Sequence, residues 1–64
     1  MVKVNGENLE LDGTKLSDFL KSANYDMSKI AVEINGQIVP KVNYGETILK
    51  DQDTVEVVSF VGGG

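Results

Sequence analysis

Cysteine and histidine are both missing from this sequence, and their absence removes most of the chemistry a small protein commonly carries. Without cysteine, neither a disulfide nor a thiolate metal site reinforces the core, so the fold must rest on packing and hydrogen bonds. Without histidine, no imidazole can serve as base for a serine nucleophile, and a zinc site of the usual His/Cys type is excluded. Arginine is missing too: the six basic residues are all lysines, set against ten acids for a net charge of −4. Clustered positive charge of the kind a phosphate backbone requires is therefore lacking, which argues against nucleic acid as a partner. A basic protein surface is the better electrostatic match, although evenly spread acids also describe an ordinary solvated exterior. No apolar run approaches the roughly 20 residues of a membrane helix. The N-terminus also lacks the charged-then-apolar layout of a secretory signal, so no membrane partner is expected and the expected compartment is the cytoplasm.

What is present suits one small domain. Hydrophobic residues make up 41% and charged residues 25% of the 64, the balance of a chain that folds, although at this length only roughly 60% of the extended surface is buried. Met1 to Asn5 alternates apolar and polar, Asn5-Gly6 is a strong turn signal, and Asn8 to Leu11 alternates again, which predicts a hairpin. Asp12-Gly13 breaks the second strand, and Thr14 stands where an N-cap belongs. Leu16, Phe19, Leu20 and Ala23 then share one face of a predicted helix, with Asn24 as its left-handed C-terminal cap. Tyr25 to Lys29 reads as a loop, Ile30 to Ile34 as a strand with one buried face, and Asn35-Gly36 as a second turn. Gln37 to Val39 is short and runs into the only proline, so it belongs at a sheet edge. Val42 to Leu49 has no clean period, with a turn at Tyr44-Gly45, and Lys50 to Asp53 reads as a tight polar loop. The β-branched run from Thr54 to Val61 is the strongest strand signal. This order predicts an α+β fold, a mixed sheet with one helix packed across one face, in which the first and last strands lie parallel and the last is central. It is the pattern of a ubiquitin-like β-grasp, expected over residues 1–61, followed by a flexible glycine tail at 62–64.

Few residues offer chemistry. Asp51 and Asp53 fall in a loop expected to be exposed, where they shape the turn and keep ordinary acidity. Gly6, Gly13, Gly36 and Gly45 fit neither GxGxxG nor the Walker spacing and read as turn glycines. The chain is thus expected to be acted upon, with no enzyme activity and no bound cofactor. The tail is different in kind. Gly62, Gly63 and Gly64 carry no side chains and end in an α-carboxylate with an ordinary pKa of roughly 3.5. Such a carboxylate can attack the α-phosphorus of ATP to give an acyl-adenylate, which a sulfur donor converts to a thiocarboxylate. Residues without a Cβ enter channels too narrow for others. The four residues after Phe60 span about 14 Å when extended, enough to reach a partner's active site from outside. Glycines at a chain end are also what a frayed tail looks like, and the residues alone leave the two readings level. Alternation along the last strand points Val55 and Val57 toward the helix and Glu56, Val58 and Phe60 away from it. With Met1 and Ala31 on the same outer face, an apolar docking patch is expected near the tail, built on Val58, Phe60 and Val61, unless the 41–50 segment covers it.

The β-grasp order, the length, the stretch Asn35-Gly36-Gln37-Ile38-Val39-Pro40 and the ending Val58-Ser59-Phe60-Val61-Gly62-Gly63-Gly64 together resemble the ThiS family, the sulfur carriers of bacterial thiamine biosynthesis. The likeness covers the whole chain. It implies that Gly64 is adenylated by a ThiF-type enzyme using ATP and magnesium, and that a cysteine desulfurase relay supplies sulfur. The resulting thiocarboxylate would deliver that sulfur to a ThiG-type thiazole synthase. Gly63 and Gly64 carry over from the family's terminal glycine pair, and Gly62 is an additional glycine on the tail that threads into the partner. The tail would also suit a molybdopterin-synthase small subunit, whose chains tend to be longer, or a ubiquitin-like protein modifier. A plain binding module with an incidental tail is the remaining alternative.

Overall fold

The computed structural model describes residues 1–60. A hairpin of β1 (Val2–Val4) and β2 (Glu7–Leu9) leads into α1 (Leu16–Ser22), after which β3 (Ile30–Ile34), β4 (Gln37–Val39) and β5 (Thr54–Ser59) follow. Short 3-10 helices cover Met27–Lys29 and Lys41–Glu46. The strands form one five-stranded sheet in the order β2-β1-β5-β3-β4. β1 and β5 are parallel, and the other neighbours are antiparallel. This is the expected β-grasp, with the β-branched β5 at the centre and the short β4 at an edge.

Both hairpins turn on Asn-Gly pairs whose residues all sit at positive φ, 49° and 88° at Asn5-Gly6 and 53° and 83° at Asn35-Gly36. That is the backbone a two-residue turn needs to match the right-handed twist of its strands. The core lies between α1 and one sheet face. Leu16, Phe19 and Leu20 meet Val2, Val4, Ile30, Val32, Val55 and Val57 there, and full burial of each such side chain stabilises by about 1.5–3 kcal/mol.

The ends of α1 differ in how legible they are. Its C-terminus closes as expected: Asn24 adopts φ 66°, its N–H donates to the Lys21 carbonyl at 3.0 Å, and the Tyr25 N–H donates to the Leu20 carbonyl at 3.0 Å. These are the paired bonds of a Schellman motif. The N-terminus corrects the expectation for Thr14. The helix begins at Leu16 with no side-chain cap, because Thr14 and Lys15 are drawn into extended pairing with Ile48 and Leu49. The Leu16 amide is satisfied instead by the Thr47 carbonyl at 2.8 Å. Ala23, expected on the buried face, is exposed and ends the helix as its C-cap.

Three further stretches depart from expectation. β2 stops at Leu9 and not Leu11, where the Leu11 N–H folds back to the Leu9 carbonyl; both leucines still pack on the core. The 41–46 stretch without a period is a 3-10 helix that buries a single large side chain, Tyr44. Asp53 is not exposed but 8% accessible: its carboxylate accepts the Asn35 side-chain amide at 3.0 Å and the Lys50 N–H at 2.9 Å. The loop that leads into β5 is thereby pinned to the β3–β4 turn. Residue Val61, predicted as the end of the last strand, lies outside the described residues.

Candidate functional site

β5 positions the candidate docking residues. Val55 and Val57 are buried against the helix layer, so Glu56 and Val58 project from the open face, and Val58 and Phe60 are each 57% exposed. Ala31 stands directly opposite Val58, and Glu33 opposite Glu56. Beyond Glu33, on β4, Ile38 is 70% exposed. The 41–50 segment does not cover this face, since Tyr44 and Leu49 join the core on the helix side. The Phe60 N–H donates to the Lys29 carbonyl at 3.0 Å, which carries β3–β5 pairing to the last described residue. Val58 and Phe60 are therefore brought together with Ala31, as expected. Met1 is not part of this patch: its carbonyl accepts the Gln52 N–H, which places it beside the turn before β5, at the other end of the strand.

A residue that the sequence marked only as a turn holds the same half of β5 in place. β1 ends at Val4, one residue short of covering Val57, whose backbone would face an empty edge. Asn5 fills that place. Its side-chain oxygen accepts the Val57 N–H at 2.9 Å, and its amide donates to the Val57 carbonyl at 3.2 Å. The carboxamide thus acts as a surrogate peptide group and extends the β1–β5 ladder by one rung. Asn35 does the corresponding work on the other side of β5, accepting the Thr54 N–H at 3.0 Å while donating to Asp53. Each asparagine needs both an acceptor and a donor, which aspartate cannot supply.

The remaining ionisable groups have structural partners or lie in solvent. The N-terminal ammonium bonds to Asp51 and stands 3.7 Å from Asp12. The bond from the ammonium holds the Asp51 carboxyl below its ordinary value, and the same contact raises the amine. Asp26 is likewise held low, first by the Ser28 hydroxyl and then by the Ser28 amide. Burial pushes the Tyr44 hydroxyl up. No cluster of acids that could hold a metal ion occurs among the described residues. A depression of about 460 Å³ beside Met1, Lys3, Asn8 and Thr54 is open and polar. Among the described residues no helix is long and apolar enough to cross a membrane.

The tail residues Gly62, Gly63 and Gly64, and the docking candidate Val61, lie outside the described residues; the structure brings the chain to Phe60 at the end of the central strand.

Comparison with known proteins gives consistent matches. The model of the ThiS family matches residues 2–64. The sulfur carrier protein ThiS of Bacillus subtilis (strain 168) is 36% identical over 66 residues, spanning 100% of each chain. A thiazole synthase of Magnetococcus marinus is 40% identical over 65 residues, which are 98% of this chain and 20% of the synthase; a second, from Paramagnetospirillum magneticum, is 37% identical over 62 residues and 19% of its length. The chain thus spans about a fifth of the thiazole synthases it matches. Among solved structures, the crystal structure of the thiamine biosynthesis protein ThiS from Geobacter metallireducens superposes with a TM-score of 0.77 at 30% identity, covering 98% of this chain and 97% of that one.

Proposed function

The chain belongs to the ThiS family, small sulfur carriers of thiamine biosynthesis that are not enzymes, and on that premise we propose that its Gly64 carboxylate is the group that bears the sulfur. The observation that carries this reading is the family match running through the glycines to residue 64, in a sequence with no cysteine or histidine to offer another carrier atom. The Gly64 carboxylate attacks the α-phosphorus of ATP, with magnesium, in the active site of a ThiF-type adenylating enzyme. Pyrophosphate leaves and a mixed anhydride with AMP forms. Sulfur from a cysteine desulfurase relay then attacks the acyl carbon and displaces AMP. If the donor is a persulfide, a thiol reduces the S–S bond and leaves the thiocarboxylate.

Phe60 stands at the end of the central strand, so the residues beyond it leave from a fixed point, and Gly62 and Gly63 present no side chain to a narrow channel. Val58 and Phe60, with Val61 next in sequence, form the docking surface for the enzymes that take the tail. The sulfur acceptor is a ThiG-type thiazole synthase. Support comes from the thiazole synthases that carry a segment like this chain within their own polypeptide, an arrangement that holds carrier and acceptor together permanently.

The test is genetic. A strain lacking its own carrier and supplied with the intact chain should grow without added thiazole, and the chain shortened by Gly64 should not support growth although it accumulates to the same level. Growth on the shortened chain removes Gly64 from the mechanism.

A further inference from the structure

Five asparagines occur in the chain, and two of them, Asn5 and Asn35, are followed by glycine. That pairing is open to spontaneous deamidation, because a glycine without a Cβ leaves its backbone nitrogen unhindered beside the asparagine side chain. The nitrogen attacks Cγ, the Cγ–Nδ2 bond breaks, ammonia leaves with the proton, and a five-membered succinimide remains. Water then opens the ring to aspartate, or to isoaspartate, in which the main chain runs through the side-chain carbon. Asn8, Asn24 and Asn43 precede Leu9, Tyr25 and Tyr44, whose side chains crowd the same attack.

Burial protects neither turn, since Asn5, Gly6, Asn35 and Gly36 are all exposed. Hydrogen bonds do protect them. The Asn5 carboxamide is bonded through its oxygen and its nitrogen to the peptide groups of Val57. The Asn35 carboxamide is held at both ends as well, by the Thr54 N–H and the Asp53 carboxylate. Ring closure requires the carboxamide to rotate toward the glycine nitrogen, which breaks both bonds. Two bonds of ordinary net strength favour the held state by roughly tenfold to a hundredfold.

We propose that Asn5-Gly6 and Asn35-Gly36 are deamidation sites gated by the fold. Each is inert while its carboxamide is bonded at β5, and each reacts when the chain opens. The product then opposes closing. A carboxylate has no hydrogen to donate, so deamidated Asn5 sets a charge against the Val57 carbonyl. Deamidation of Asn35 is the worse lesion, because its new carboxylate stands where a bond of 3.0 Å ran to Asp53. Asp53 is only 8% accessible, and two carboxylates so close repel in poorly screened surroundings. Isoaspartate adds a main-chain carbon to a two-residue turn fitted to the twist of its strands.

The experiment incubates the full chain at mildly alkaline pH, in buffer and in guanidinium chloride, and follows each asparagine by tandem mass spectrometry of its peptide. The product is heavier by the difference between water and ammonia. In denaturant Asn5 and Asn35 should convert while Asn8, Asn24 and Asn43 stay intact; in buffer both conversions should be about tenfold slower or more. Rates in buffer equal to or above those in denaturant overturn the gate, and earlier conversion at Asn8, Asn24 or Asn43 overturns the choice of sites. Thermal unfolding reads the consequence separately: Asn35→Asp should melt below Asn5→Asp, and Asn5→Asp below wild type. An Asn35→Asp variant that melts with or above either of them overturns the account of the product.

Discussion

The surrogate peptide bond made by Asn5 gives the sharpest prediction about the fold. Asn5→Gly keeps the left-handed turn but deletes the carboxamide, leaving the N–H and carbonyl of Val57 without their partners at 2.9 and 3.2 Å. Each net hydrogen bond contributes about 0.5–1.5 kcal/mol, so the pair contributes roughly 1–3 kcal/mol. Glycine relieves about 1 kcal/mol of strain at a positive φ and loses about 0.5–1 kcal/mol to backbone entropy, and these two effects offset. In a domain of this size about 1 kcal/mol moves the melting temperature by roughly 4–8 °C, so a central loss of about 2 kcal/mol lowers it by roughly 8–16 °C. Asn5→Ala should be worse, because it adds strain at φ 49° to the same lost bonds. Asn5→Asp keeps an acceptor for the Val57 N–H but sets a carboxylate against the Val57 carbonyl, and should fall below wild type. Thermal unfolding followed by circular dichroism gives the magnitude, and amide hydrogen exchange gives the location: protection should fall first at Val57. A melting temperature for Asn5→Gly within about 1 °C of wild type, or undiminished protection at Val57, would refute the argument.

Two further outcomes concern acid stability and docking. The Asp26 carboxyl is held below its ordinary value of 3.8 by the hydroxyl and amide of Ser28. Its contribution is therefore fully present above that value and is lost as pH falls through the lowered one. Ser28→Ala should flatten the decline in melting temperature below pH 3.8, and an unchanged acid slope would remove Asp26 from the account. Phe60→Asp should leave stability within about 0.5 kcal/mol of wild type, as a surface substitution does, while weakening binding to thiazole synthase by about tenfold or more. Unfolding of that variant would mean Phe60 belongs to the core and not to a docking face.

Local chemistry explains which features were readable from residues. Asn5-Gly6 and Asn35-Gly36 announced their turns because two-residue hairpins demand positive φ, and Asn24 announced the helix end for the same reason. Leu16, Phe19 and Leu20 were legible by spacing, and the central strand by its run of β-branched residues. The missed features depend on partners distant in sequence. Thr14 has the chemistry of an N-cap, yet pairing with Leu49 pulls it into extended backbone. Tyr44 buries alone from a 3-10 helix, so it leaves no period. Asp53 looks like a loop acid until Asn35 is brought beside it, and nothing in the spacing of Asn5 and Val57 announces that a turn residue completes a neighbouring strand. On the candidate site, alternation correctly turned Val58 and Phe60 outward, while the grouping of Met1 with them failed because alternation fixes a face but not a position along it.

The most direct test of the central claim is the intact mass of the chain after incubation with a ThiF-type adenylating enzyme, ATP, magnesium and a sulfur donor. The account predicts a product heavier by the difference between one sulfur and one oxygen atom, with the added mass confined to the peptide that ends in Gly64. An unchanged mass while the enzyme is consuming ATP, or sulfur located on any other residue, would contradict it.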